Sequence, residues 1–250
     1  NTQSYFGNEG LKKKVFLLLI NFLKKMDLKA AAQVDEFVAI SKFTQKMIKK
    51  IYQRKSIIIN SPIDTKNLKF LIKSNKKSLI RDDYYLLVSR LEKWKNVDFV
   101  IEAFNENKKK LIIVGNGSEL SLLKRKSNKN IIFKTGVNDK DLVNYYKYSK
   151  SVIFPTYLEY GLIPIEANFC GVLAICLDSP GVRETMIPYD GNDKFTAIFY
   201  KKNNISEIND AVKLSEKINV NKRFLYQNAE RFNEINFMSQ LKKIVKRNET

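Results

Sequence analysis

The sequence predicts an α/β fold, a doubly wound parallel sheet preceded by an N-terminal remnant of another unit. Three observations lead there. Short apolar runs recur along the chain: "YYLLVS" (84–89), "KLIIVG" (110–115), "NIIFK" (130–134), "SVIFP" (151–155), "VLAIC" (172–176) and "AIFY" (197–200). They are continuous rather than alternating, the pattern of strands covered by helices on both faces. Between them lie segments with helical spacing, "NVDFVIEAFNEN", "SELSLLKRKS", "DKDLVNYYKYS", "IPIEANFC" and "ISEINDAVKLSEK". The two kinds alternate strictly over 84–218, as strands joined by crossover helices do.

Upstream, "VDEFVAIS" reads as a strand, "KFTQKMIKKIYQ" as a helix and "KSIIINSPID" as a strand and turn, before the polar connector "KSNKKSLIRDD". These features divide the chain into a remnant at 1–65, a linker at 66–83, the α/β domain at 84–232 and a C-terminal helix at 233–250. The run "LKKKVFLLLINFLKK" (11–25) is broken by Asn21. It falls short of the roughly 20 apolar residues that span a bilayer, and it lacks the small-residue cleavage site of a signal peptide. It suits a helix buried against a partner domain, or a basic helix lying on a membrane surface. The start at Asn1 suggests a fragment or a processed product. No internal repeat is visible.

Composition narrows the chemistry. With 44% hydrophobic residues the chain can bury a core. It contains no histidine, which removes imidazole acid–base catalysis and the commonest zinc ligand. The two cysteines, Cys170 and Cys176, have no metal spacing and sit in apolar surroundings, as reduced core thiols of a cytoplasmic protein do. The formal charge of +19 comes from scattered lysines ("NENKKK", "LKRKSNKN", "QLKKIVKR") rather than from one arginine-rich block. That favours solvated faces, with an anionic membrane surface next and nucleic acid as a distant third.

Chemistry should gather where the strands end. The first exits into "VSRLEKWKN", with Arg90 and Lys95 straddling the turn; the second into "VGNGSEL", where Gly115 and Gly117 precede a helix start at Ser118. The third exits into "KTGVNDKDL" and the fourth into "YLEYGLIPIEANFCG". Two cations, a glycine turn and helix N-termini with free N–H groups suit a diphosphate. Pro164 fits a first helical turn, where its missing N–H costs nothing, and Gly161 lets backbone come close to a ligand. Glu166, about one turn in, can accept hydrogen bonds from the hydroxyls of a ribose; the plainer alternative is that it complements the helix dipole. Asp139 of "DKD" reads as a helix cap rather than a metal ligand, and "DGND" (190–193) as a turn.

At these residues the chain resembles glycosyltransferase family 4, retaining enzymes of the GT-B fold. "LLVSRLEKWKNVDFVIEAF", "LIIVGNGSEL", "NIIFKTGVNDKDLVNYYKYSKSVIFPT" and "GLIPIEANFCGVLAICLDSPGVRET" follow its pattern in order. The upstream "VDEFVAISKFTQKMIKKIY" and "SIIINSPIDT" are similar to its O-antigen mannosyltransferase-like branch. The resemblance implies that 84–232 is the Rossmann-like, C-terminal, donor-binding half of such a fold. By the same resemblance, Arg90 and Lys95 hold the donor diphosphate and act as the catalytic cations, and Glu166 holds the ribose. Gly136 and Val137 border the base, while the Gly161 and Leu162 amides approach the phosphate and sugar.

The family's first motif glutamate, which contacts the donor sugar, aligns on Leu158, with Glu159 one residue late. Either a bulge brings Glu159 in or that contact is lost. The implied function is transfer of a sugar, with retention, from a nucleotide diphosphate sugar to a saccharide or lipid-linked acceptor in cell-surface polysaccharide synthesis. GDP-mannose or a UDP-sugar is the implied donor. The resemblance calls for no cofactor, metal or nucleic-acid partner, and for a cytoplasmic enzyme at or near the inner face of the membrane. Most of the acceptor-binding domain of such an enzyme is missing from this sequence, so a catalytically silent nucleotide-sugar-binding or partner module is the alternative.

Overall fold

The computed structural model describes residues 10–74, 83–157 and 160–248, which form two compact units, 1–58 and 59–250. The smaller unit holds α1 (Gly10–Ala32), β1 (Val38–Ala39), α2 (Lys42–Tyr52) and β2 (Ile57–Ile58). Its two short strands pair in parallel, Val38 with Ile57. Ser41 caps α2, its hydroxyl accepting from the Thr44 N–H at 3.0 Å. The Arg54 guanidinium donates to the carbonyls of Ala31, Val34 and Asp35, fixing the chain that leaves α1. Leu19, Phe22, Leu23 and Met26 of α1 are exposed. Among the described residues, no helix is long and apolar enough to cross a membrane.

The larger unit is built on six parallel strands: β3 (Tyr84–Val88), β4 (Lys110–Val114), β5 (Ile131–Lys134), β6 (Ser151–Phe154), β7 (Leu173–Leu177) and β8 (Ala197–Tyr200). All six strands expected from the sequence are present, with ends shifted by a residue or so. Their order across the sheet is β5-β4-β3-β6-β7-β8. Side chains alternate between two cores, which explains the unbroken apolar runs. Tyr85, Leu87, Leu111, Ile113, Ile153 and Ile175 meet α4 (Val97–Asn107), α5 (Leu120–Lys126) and α9 (Ile205–Ser215) on one face. Tyr84, Leu86, Ile112 and Val152 face the opposite way, toward α6 (Asp139–Tyr148) and α7 (Leu162–Phe169). Ala174 and Cys176 of β7 complete that second face with α7, α8 (Pro180–Thr185) and α10 (Lys222–Glu230). Each large side chain buried this way stabilises by about 1.5–3 kcal/mol.

Two expectations are corrected. The proposed linker at 66–83 begins inside a helix, α3 (Thr65–Ser74), whose Leu68 and Ile72, four residues apart, pack on the core. That helix is tied down from a distance by Glu234 of α11 (Glu234–Asn248), whose carboxylate accepts from the Thr65 N–H and hydroxyl and from the Lys66 N–H. The cap of α6 is Asn138 rather than Asp139: its amide oxygen accepts from the Asp141 N–H at 2.9 Å, leaving Asp139 as the first helical residue. Asparagine does the same at Asn204 for α9 and Asn221 for α10. Asn138→Ala should therefore cost about 1 kcal/mol in urea denaturation, whereas Asp139→Ala should cost about 0.5 kcal/mol through the helix dipole alone. Equal losses would restore Asp139 as the cap.

Candidate functional site at the reversal of strand order

Because all six strands are parallel, every exit loop lies along one edge of the sheet. Winding reverses between β3 and β6, the place along that edge where a sheet of this kind is expected to form its ligand crevice. The site is assembled from their exits.

The β3 exit is rigid because it is laced to the β4 exit. Leu91 N–H donates to Asn116 O (2.8 Å), and Glu119 N–H returns to Leu91 O (2.9 Å). The Glu92 carboxylate accepts from both the N–H and the hydroxyl of Ser118 (3.3 and 2.7 Å), and these bonds hold its carboxyl below the usual carboxylate range. Gly115 and Gly117 make the approach possible. A Cβ on Gly115 would lie 1.8 Å from the Ser89 carbonyl oxygen, and one on Gly117 would lie 2.4 Å from that of Leu91. The expected helix start at Ser118 is thus corrected: α5 begins at Leu120, and the N–H groups of Ser118 and Glu119 already serve the neighbouring loop. The close approach that these glycines allow is between two protein loops.

On this support sit the two cations. Arg90 is exposed, while Lys95, in a short 3₁₀ turn (Lys93–Lys95), is only 9% exposed. Trp94, the one tryptophan of the chain, meets both: the Lys95 ammonium is 4.0 Å and the Arg90 guanidinium 5.7 Å from its ring centroid. Attraction to the ring face holds cations at such distances with about 0.5–2 kcal/mol each. The turn is fastened to β6. Asn96, in a left-handed conformation (φ 56°), donates to Pro155 O, and the Thr156 hydroxyl donates to Lys95 O. Asn203 donates to the same Pro155 carbonyl (2.9 Å).

Beyond β6, Gly161 is the N-cap of α7 and offers no capping side chain. A Cβ there would press on the Phe154 ring at 3.0 Å. With Pro164 lacking an N–H, the first-turn donors are those of Leu162 and Ile163. Glu166 follows on α7. Its side chain is half-buried, and Oε2 accepts from the hydroxyl of the buried Tyr146 of α6 at 2.8 Å. Burial pushes the Glu166 carboxyl up, the Tyr146 bond pulls it down, and the charge of Asp139 adds a further upward push. One turn later burial pushes the Cys170 thiol up to about 12, so neither it nor the still deeper Cys176 is a nucleophile. At the β5 exit Gly136 is exposed with φ 64°, and Val137 packs into the core below it.

Arg90, Lys95, Gly161, Leu162 and Glu166 therefore stand on the exits of the two strands that flank the reversal, and Gly136 and Val137 on the neighbouring β5 exit. Glu159 and Leu158 lie outside the described residues. Among the described residues, no group of three or more acidic, cysteine or histidine side chains is placed to hold a metal. Trp94, Asn96, Thr156 and Tyr146 were missed from sequence. Trp94 sat between the two singled-out cations, a signal that was there to be used; the Tyr146–Glu166 pairing, twenty residues apart on different helices, left none.

The family of glycosyl transferases group 1 matches residues 64–232, from α3 through the last turn before α11. The chain belongs to this family. An uncharacterized glycosyltransferase of Methanocaldococcus jannaschii is 29% identical over 99% of the chain, and the alpha-1,3/1,6-mannosyltransferase ALG2 of Kluyveromyces lactis is 22% identical over 73%. The alignments span 63% and 45% of those relatives. Among solved structures, sucrose-phosphate synthase of Thermosynechococcus elongatus superposes with a TM-score of 0.73 at 14% identity, covering 90% of this chain and 61% of its own. Anabaena HepE, in complex with UDP and glucose, gives 0.72 at 16%, covering 89% and 66%. The fold of this family member thus matches about two thirds of these glycosyltransferase structures.

The loop lock separates two kinds of glycine. Gly115→Ala combines a positive φ with overlap on a carbonyl and should cost about 2–5 kcal/mol. Gly136→Ala meets open space and should cost only the left-handed penalty of about 1–2 kcal/mol. Chemical denaturation of both variants decides; similar losses would mean that loop contact is not what Gly115 answers to.

Proposed function

We propose that this chain binds a nucleoside diphosphate sugar at the β3–β6 crevice and supports transfer of the sugar, with retention, to a saccharide or lipid-linked acceptor. The observation that carries the reading is the pairing of Arg90 and Lys95 on the β3 exit with an uncapped helix on the β6 exit, at the point where the strand order reverses. A diphosphate placed there meets two cations and two backbone N–H donors. In the reaction the bond between the anomeric carbon and the diphosphate oxygen breaks, with the electron pair leaving on the nucleoside diphosphate. The acceptor oxygen replaces it on the same face, and its proton passes to the departing phosphate. Arg90, Lys95 and the Leu162 and Ile163 N–H groups stabilise the charge that grows on the leaving group. Glu166 accepts from the ribose, and Gly136 and Val137 border the base.

The mannosyltransferase among the relatives supports GDP-mannose as the first donor to try, and the UDP complex of HepE supports a UDP-sugar as the second.

Trp94 provides the assay, since its ring lies against both groups proposed to take the phosphates. Adding GDP or UDP should change its fluorescence saturably. Arg90→Ala and Lys95→Ala should each cost far more affinity for the diphosphate than for the bare nucleoside, and Glu166→Ala about 1.5–3 kcal/mol for both. Equal losses for nucleoside and diphosphate in the first two variants would make those cations structural.

A further inference from the structure

Glu166 is a carboxylate held where carboxylates are disfavoured, and the structure shows what counters that. Its Oε2 takes the Tyr146 hydroxyl at 2.8 Å, while Oε1 has no protein donor among the described residues. Tyr146 is 1% exposed, its ring fixed in the core with Tyr84, Leu86, Val152 and Ala167. The packed ring holds the hydroxyl in place, and the bond it makes is of ordinary length and partly buried. A carboxylate on a helix has several rotamers, and one pinned oxygen selects among them.

We infer that Tyr146 is the positioning residue of the nucleotide site: its hydroxyl fixes the Glu166 carboxyl, with Oε1 left as the acceptor for the ribose. This rests on the donor-site reading above and adds to it a residue on a different helix from the one that carries the acceptor.

The electrostatics run the same way. Desolvation raises the Glu166 carboxyl and Asp139, at the start of α6, raises it further; the Tyr146 bond is the influence that lowers it. The other titratable group acting across this spot is Cys170, a buried thiol on the same helix, whose own environment includes Glu166 and Lys147. The ionised carboxylate offers an acceptor oxygen to each of two hydroxyl donors, whereas protonation turns one of those oxygens into a donor. As pH falls through the raised value the carboxyl takes a proton and ribose binding weakens. Removing the phenol raises that value again, so the loss should set in at a higher pH.

The experiment is a double-mutant cycle on the intact chain, read by Trp94 fluorescence with GDP or UDP across pH 5–8. Tyr146→Phe removes one oxygen and keeps the ring, and thermal melting should show it folded. It should bind the nucleotide about tenfold more weakly at neutral pH, the loss expected of one hydrogen bond to a charged group. Its affinity-against-pH curve should also shift to higher pH relative to wild type; the titration of the ligand's own phosphates is common to both and cancels in the ratio. In a Glu166→Gln background the same tyrosine change should cost almost nothing. If Tyr146→Phe weakens binding equally in both backgrounds, or leaves the pH curve unmoved, the tyrosine is only part of the core and the proposal is overturned. A wild-type chain that binds neither nucleotide overturns the donor-site reading, and this one with it; the two failures are told apart by the wild-type titration alone.

Discussion

The parallel run of the six strands is the constraint on which the rest depends. It sends every strand exit to one edge, and the order β5-β4-β3-β6-β7-β8 places β3 and β6 side by side at the point where the winding reverses. Nothing else in the chain would bring Lys95 and Thr156, sixty-one positions apart, within a hydrogen bond of each other. The helices serve the same end. Those that cover the second face, α6 and α7, reach the crevice with their N-terminal turns, so the backbone donors of Leu162 and Ile163 arrive there as part of the packing.

Rigidity at the crevice is achieved with polar contacts on a well-packed base. The β3 and β4 exits share a two-way exchange of backbone bonds plus the Glu92–Ser118 pair, and the cation-bearing turn is fastened across the reversal by Asn96 and Thr156. Fixing cations this way matters for a charged ligand, because a lysine or arginine that must first be ordered gives up much of its attraction to side-chain entropy. The ring of Trp94 meets part of that cost before any ligand arrives.

How much of this was legible in the sequence follows from range. The strands were readable because burial on both faces makes each one a local apolar word, and "YYLLV" or "KLIIV" needs no partner to be recognised. That Arg90 and Lys95 follow β3, and that Gly161 and Glu166 lie in the segment after β6, was readable because position along the chain is local; what they bind is not written in that position. The helix α3 was half-lost in a linker, since its two core contacts, Leu68 and Ile72, are outweighed by lysine and asparagine around them, and its anchor, Glu234, lies at the far end of the chain. Ser118 was misread for a related reason: a Gly-x-Gly before a helix fits a phosphate loop and a loop-on-loop contact equally well, and only the position of Ser89 and Leu91 separates them. Tyr146 looked like one of several tyrosines in "NYYKY" until the fold set it against Glu166.

The lacing of the β3 and β4 exits also governs where this domain can change length. An inserted residue between Ser89 and Glu92, or between Gly115 and Glu119, would break the register of four bonds and drag Arg90 and the Trp94 turn with it. Variation has to be absorbed elsewhere, and the turn at 190–194 is built for it: exposed, closed by the bonds of Asn192 to the Asp190 carboxylate, and with open space around Gly191. A tag, an epitope or a reporter peptide spliced there would leave the crevice untouched, whereas the loops that look shortest and simplest in the sequence are the ones that admit no splice at all.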